Sequence, residues 1–323
     1  MAYPDQQITI DCRTGAIAGA RAHELVAVWL VRLASIILKP VNHFGLSYIC
    51  RVVRTLLPSD RPFLFLIDAD TRFRVDYCDA YWSVLTVANY VYEPPIRRFV
   101  DEMRDVDYAF LDCGANQGYW SAIVSSPAGG KHRVIAVEAA SDTYWHLADN
   151  QALNRGAFTG INRAISGRSG EIVKIYGVKH EARSMLPSGA GDTSALEVET
   201  LSLDDLADHP AVAGAPMVAI KLDVEGVEID AMSAAERLLA RETVFLYEDH
   251  GHDRTHKVTE FAMGALGMRV FWLGRGGPFE ITSLNQLDAI KVSRRRGYDF
   301  AASRSPIWLA KLDGVVARAA QSH

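Results

Sequence analysis

The sequence predicts an α/β protein built on a mostly parallel sheet, with a helical appendage at the N-terminus. Three observations carry this reading. Apolar strands and helical segments alternate along most of the chain. One strand, over residues 109–113, runs into a turn carrying Gly114 and Gly118 that opens a helix. A second apolar strand, over residues 133–138, follows that helix and ends in a carboxylate, Glu138.

In chain order, residues 1–60 read as the appendage, closed by Pro58, and residues 61–323 as the main domain, with a ligand-binding core over about 90–250. The polar opening, residues 3–7, lacks the basic flank and apolar core of a secretory leader. Residues 25–38 are mostly apolar but interrupted by Arg32, and fall short of the roughly twenty residues that span a bilayer. They are expected to form a helix buried against the rest of the chain or against a second copy. The sharper alternative is a helix lying in a membrane surface, flanked by Arg21, Lys39 and Arg51.

Residues 63–67 and 72–77 read as a hairpin around Asp68-Ala69-Asp70. Pro94 and Pro95 open a helix through Phe99 and Met103, since proline suits a first helical turn. Core strands are predicted at 109–113, 133–138, 160–165, 217–223, 243–248, 268–273 and 306–312. Helices are predicted at 118–125, 142–154, 228–240 and 255–266. The last strands lack a long helix between them, which permits an antiparallel hairpin at one edge. Two stretches break the rhythm. Residues 179–197, rich in small residues, read as a mobile loop. Residues 274–298, with Gly274, Gly276, Gly277, Pro278 and the run Arg294-Arg295-Arg296, read as an insertion.

The 323 residues are 49% hydrophobic and 23% charged, ordinary for a globular protein. A net charge of -5 gives no broad attraction to nucleic acid, and none is expected as a partner. Cys12, Cys50, Cys78 and Cys113 are scattered, with neither a Cys-x-x-Cys pair nor zinc spacing, which fits a reducing cytoplasm.

The turn's chemistry narrows the ligand. Gly114-x-x-x-Gly118 is not the Gly-x-Gly-x-x-Gly that admits a pyrophosphate, and no Gly-Lys-Ser/Thr follows as in a P-loop. A carboxylate at Glu138 suits the two ribose hydroxyls of a nucleoside. S-adenosylmethionine has the ribose and adenine without phosphate, and its sulfonium suits a turn that begins at Asp112. It fits better than NAD or ATP.

Several separated motifs, in order from about residue 90 to 250, resemble the FkbM-type S-adenosylmethionine-dependent methyltransferases. They are Tyr92-Glu93-Pro94, residues 111–119, Val137-Glu138, Asn150 and Asn154, Ala164-Ile165-Ser166, residues 200–206 and residues 220–228. The chain departs from the pattern at Cys113, where the family usually has valine, and at Ala139, where it usually has proline. The resemblance implies a Rossmann-like, seven-stranded class I methyltransferase sheet. It also implies O-methylation of glycans or polyketide-type products. The cofactor site would then comprise Glu93, Asp112, Gly114, Asn116, Gly118, Glu138, Ala164 and Asp223.

The strand ends Asp112, Glu138 and Asp223 should converge where open α/β sheets bind ligands. Lys221, inside an apolar strand, calls for a nearby acid. Asp223 and Glu225 are expected at the reacting centre, with capping of the next helix as the alternative for Glu225. His250 is the candidate general base, with His252 and His256 as competitors. Asp223 with Glu248 or Asp249 offers oxygen ligands for Mg²⁺, an optional second cofactor. Arg275, Arg294 and Arg295 are candidate anchors for a phosphorylated acceptor. The expected function is O-methylation of a sugar, glycan or related polar metabolite. The rivals are methylation of a non-sugar acceptor, a catalytically silent cofactor-binding module, and a nicotinamide oxidoreductase, which the glycine spacing disfavours.

Overall fold

Neighbouring side chains of a strand point to opposite faces of its sheet. Here the core strands are apolar at both parities, so the sheet they form is covered on both sides. The computed structural model describes residues 6–176, 195–224, 226–274, 277–294 and 296–321.

The chain opens with β1 (Ile8–Asp11) and β2 (Ile17–Ala18), followed by helices Ala22–Leu38 and Leu46–Leu56. The expected hairpin forms as β3 (Phe63–Leu66) and β4 (Arg72–Val75), antiparallel. These four strands make one small sheet in the order β2-β1-β3-β4, with β1 parallel to β3. The expected boundary at residue 60 therefore cuts through a sheet, and the appendage is not purely helical. Pairing between segments more than fifty residues apart, Ile8 with Phe63, leaves no local trace in the sequence.

The main strands are β5 (Ala109–Cys113), β6 (Arg133–Glu138) and β7 (Thr159–Asn162). Next come β8 (Ala164–Ile165), β9 (Ile172–Tyr176) and β10 (Ala195–Leu201), a separate sheet ordered β8-β10-β9. Last come β11 (Met217–Leu222), β12 (Glu242–His250), β13 (Arg269–Trp272), β14 (Phe279–Ile281) and β15 (Gly297–Ser303). The large sheet has the order β14-β13-β15-β12-β11-β5-β6-β7. Strands β12, β11, β5, β6 and β7 run parallel, and β15 lies antiparallel between β12 and β13. The expected seven-stranded arrangement, with β15 as its antiparallel strand, is thus joined by a short eighth, β14.

Phe110, Ala136, Ala219 and Leu246 face one core, and Leu111, Ile135, Ile220 and Tyr247 the other. The first core also takes Ile8, Phe63, Phe73 and Trp82 from the N-terminal sheet and its connections, so that sheet is fused to the front of the large one. Two asparagines in the helix Ser141–Leu153 and at its C-cap reinforce this. Asn150 accepts from the backbone N–H of Arg74 and donates to the carbonyls of Arg74 and Gln117, while Asn154 pairs with both backbone groups of Arg72.

Several expectations are corrected. Residues 306–312 are not a strand but the start of helix Pro306–Gln321. Pro306 sits at its first position, and Trp308, Leu312 and Val315 recur at helical spacing on the buried side. The antiparallel strand comes instead from β15, whose start falls in the stretch read as an insertion. The predicted helix 228–240 is broken into Glu228–Ser233 and Glu236–Leu239. Residues 160–165 divide between β7 and β8, which belong to different sheets. Of the expected loop 179–197, residues 195–197 are in β10, and the rest lies outside the described residues.

Candidate functional site

Strand alternation builds the site. Val134, Ala136 and Glu138 share one face of the large sheet, as do Phe110 and Asp112, Ala219 and Lys221, and Leu246 and Glu248. At the carboxyl ends of these strands the apolar row gives way to charged residues. Asp112 pairs in register with Lys221 on the neighbouring parallel strand, so their side chains emerge together. Glu248 pairs with Asp299 across the antiparallel β12–β15 ladder, which brings a further acid to that face.

A cleft of about 910 Å³, its open mouth included, lies over these strand ends. Asp112, Gly114, Asn116, Glu138, Ala164 and Asp223 line it, as do Tyr81, Tyr92, Trp120 and Lys221. Its floor is the glycine turn. Gly114 has φ +79°, and a Cβ there would run into the carbonyl oxygen of Asp223, so only glycine lets the turn pass this close to β11. Asn116 also takes a left-handed conformation, which asparagine tolerates. Its N–H donates to Glu138 Oε2 at 2.9 Å, and Ala140 N–H donates to Glu138 Oε1 at 2.9 Å. Two backbone donors thus fix the plane of the Glu138 carboxylate. Asp112 accepts from Ser121 Oγ at 2.6 Å through Oδ2, while its buried Oδ1 makes no hydrogen bond among the described residues.

The opposite wall is aromatic. Tyr81 and Tyr92 meet through their hydroxyls at 2.5 Å, and Trp82 stacks on Tyr119. Glu93 follows Tyr92 with φ +40°, an unfavourable conformation for a residue with a side chain. That geometry turns its carboxylate inward, where it accepts from Trp120 Nε1 at 2.6 Å.

One cation serves several acids. Lys221 Nζ lies 2.9 Å from Asp223 Oδ2. Burial works against its charge, but Asp223, Glu93 and Asp112 together outweigh burial and hold the ammonium well above its usual range. Burial raises Asp112 and Glu93 above ordinary carboxylates, and Lys221 pulls each back in part. Asp299 is pushed well up by burial first, then by Glu93 and Glu248.

Beside this cluster, His250 Nδ1 lies 2.9 Å from Glu248 Oε1. His250 also acts electrostatically on Glu228, as does Asp223, which places the imidazole at the rim of the acidic cluster. His252, stacked on His250, is exposed. His256 points elsewhere: it is buried, 3.0 Å from Lys291 Nζ. Asp249 is also removed from the cleft. It has the opposite parity to Glu248, and its carboxylate is buried against Lys291 Nζ at 2.7 Å and Thr259. A metal bridge from Asp223 to Asp249 is therefore corrected by strand alternation. Among the described residues, no group of three or more His, Cys, Asp or Glu is arranged to hold a metal ion.

Glu225, Arg275 and Arg295 lie outside the described residues. Arg294 is exposed, on a segment that packs beside the histidine loop: Gly251 N–H donates to the Arg296 carbonyl at 2.8 Å. Sequence reasoning missed Tyr81, Trp82 and Asp299. Nothing local to Tyr81 or Trp82 marks them as cleft residues. Asp299 could be found only by recognising residues 297–303 as an alternating strand.

Residues 112–271 match the methyltransferase FkbM domain. Among curated proteins, none matches the chain. Among solved structures, the methyltransferase FkbM of Methylobacillus flagellatus is 14% identical with a TM-score of 0.38, the match covering 61% of this chain and 43% of that one. This chain thus spans less than half the length of that relative. The precorrin-6y C5,15-methyltransferase of Geobacter metallireducens is 18% identical over 68% of this chain and 92% of its own, with a TM-score of 0.38. An O-methyltransferase of Bacillus cereus is 10% identical over 67% of this chain and 84% of its own, with a TM-score of 0.37.

Proposed function

We propose that this chain, whose residues 112–271 match the methyltransferase FkbM domain, is an S-adenosylmethionine-dependent O-methyltransferase acting on a hydroxyl of a sugar, glycan or related polar metabolite. The observation that carries the reading is the Glu138 carboxylate, held by two backbone N–H groups at the lip of a cleft that also contains the unpartnered Asp112 Oδ1. A nucleoside with vicinal hydroxyls and a cationic tail suits both acids.

In this reading Glu138 accepts from the ribose hydroxyls, while Gly114, Asn116 and Gly118 shape the floor. Ala164 borders the base, and Asp112, Asp223 and Glu93 surround the cationic end. Bound S-adenosylmethionine supplies an electrophilic methyl group. The chain's own task is to align an acceptor oxygen with that group and to receive its proton, and alignment supplies much of the rate. His250, oriented by Glu248, takes the proton. Asp223, with Glu225 beyond it in sequence, keeps the reacting region negative. Asp299, which burial biases toward its neutral form, offers a hydrogen bond to a polar acceptor. Arg294, with Arg275 and Arg295, anchors a phosphate on a nucleotide-linked or lipid-linked sugar.

The test is incubation of the full chain with methyl-labelled S-adenosylmethionine and a panel of sugar and phospho-sugar acceptors. Label recovered on oxygen supports the reading. Calorimetric binding of S-adenosylhomocysteine without turnover on any acceptor would favour a silent binding module.

A further inference from the structure

The two helices of the N-terminal region, Ala22–Leu38 and Leu46–Leu56, each bury one face and leave the other bare. The bare face is strongly apolar. Trp29 is 59% exposed, Leu33 54%, Ile37 63%, Phe44 72% and Leu56 72%. Trp29, Leu33 and Ile37 recur every four residues, Phe44 lies in the turn between the helices, and the second helix exposes Tyr48, Val52 and Leu56, again four residues apart. Contiguous apolar surface on this scale marks an interaction site.

The charge around it identifies the occupant. Residues 25–59 contain Arg32, Lys39, Arg51 and Arg54 and not one Asp or Glu, within a chain of net charge -5. Arg32 is consumed internally, donating to the carbonyls of Thr86 and Gly15. Lys39, Arg51 and Arg54 remain exposed around the apolar stripe. A two-fold contact between copies would set these cations against one another with no carboxylate from residues 25–59 to pair them. An anionic lipid surface meets both properties: headgroups take the cations, and the acyl boundary takes the apolar side chains, Trp29 among them, an indole of the kind enriched at membrane interfaces. No described helix is long and apolar enough to cross a membrane.

We propose that this helical hairpin docks the protein in-plane on an anionic membrane surface. The docked face is tied to the cleft. Arg32, on the inner side of the first helix, holds Thr86 of the 3-10 turn Trp82–Thr86, and Trp82 lines the cleft. A lipid-borne acceptor would thereby be met at the surface where it resides, although the docking itself stands whatever the enzyme's acceptor.

The test is flotation of the full chain with vesicles of phosphatidylcholine, alone or mixed with phosphatidylglycerol. Binding to the mixed vesicles, weakened by salt, is expected. Arg51→Gln with Arg54→Gln should cut that partitioning roughly 25-fold, each surface cation contributing about a factor of five. Trp29→Ser with Phe44→Ser should abolish binding to the mixed vesicles, with an unchanged melting temperature showing that the fold is intact. A chain that floats with neither vesicle overturns the proposal. So does a stable dimer in solution that Leu33→Gln dissociates, because the face is then an interface between copies.

Discussion

Asp112 and Lys221 are register partners on adjacent parallel strands, so an acid and a base emerge side by side on one face of the sheet. Lys221 also reaches Asp223 at 2.9 Å and is the shared counter-ion of the cleft. Its replacement should therefore do more than break one pair. Lys221→Met is expected to destabilise the fold by about 3–5 kcal/mol, the usual result of stranding buried acids. The value should lie toward the lower end, because the Asp223 side chain is 31% exposed. Urea unfolding measures it, and a midpoint equal to wild type would show that the acids do not depend on this cation.

Glu138→Ala should weaken S-adenosylhomocysteine binding about a hundredfold or more, since two hydrogen bonds to a charged acceptor are lost at about 1.5–3 kcal/mol each. Titration calorimetry reads this directly. Unchanged affinity would remove Glu138 from the ribose site.

His250→Ala should lower turnover by about 10²–10⁴-fold while leaving cofactor affinity alone. Glu248→Gln should produce a smaller loss, because it removes the group that orients the imidazole at 2.9 Å. His256→Ala should instead lower thermal stability, since that ring packs against buried Lys291. Comparing turnover with melting temperature separates the two roles.

The raised Asp299 gives a pH-dependent signature. Its folded pKa lies well above its unfolded one, so its contribution to stability is complete below the ordinary carboxylate value and is lost as pH rises through the folded value. Asp299→Asn abolishes that loss. The variant should melt above wild type at neutral pH, and the difference should vanish on acidification to about pH 4. Scanning calorimetry across that range checks it, and a difference that does not change with pH would locate the effect elsewhere.

Asn150→Ala should loosen the contact between the N-terminal sheet and the main domain. Each backbone group that loses this partner costs up to about 1–3 kcal/mol, most at the buried carbonyl of Gln117. Hydrogen exchange at Arg74 should accelerate before global unfolding, and uniform protection would mean that the rest of the shared core holds the two together.

The sequence by itself determined the layered α/β core, the glycine turn and the acids at the ends of its strands. These are local: a short apolar run, a residue with φ above zero and a carboxylate at a strand tip all lie within a few neighbours of one another. It also carried the demand of Lys221 for an acid, because a buried ammonium needs one. The tertiary structure decided the rest. It set Asp299 beside Glu248 by inserting β15 antiparallel into the sheet, and the parity of β12 sent Glu248 inward and Asp249 to the opposite core. It made a helix of residues 306–321, where the alternative strand would have had to accept Pro306 and forgo the helical spacing of Trp308, Leu312 and Val315. It also joined β1 to β3 across the two apolar helices. Which strands become neighbours depends on packing between distant segments, and that information is spread over the whole chain.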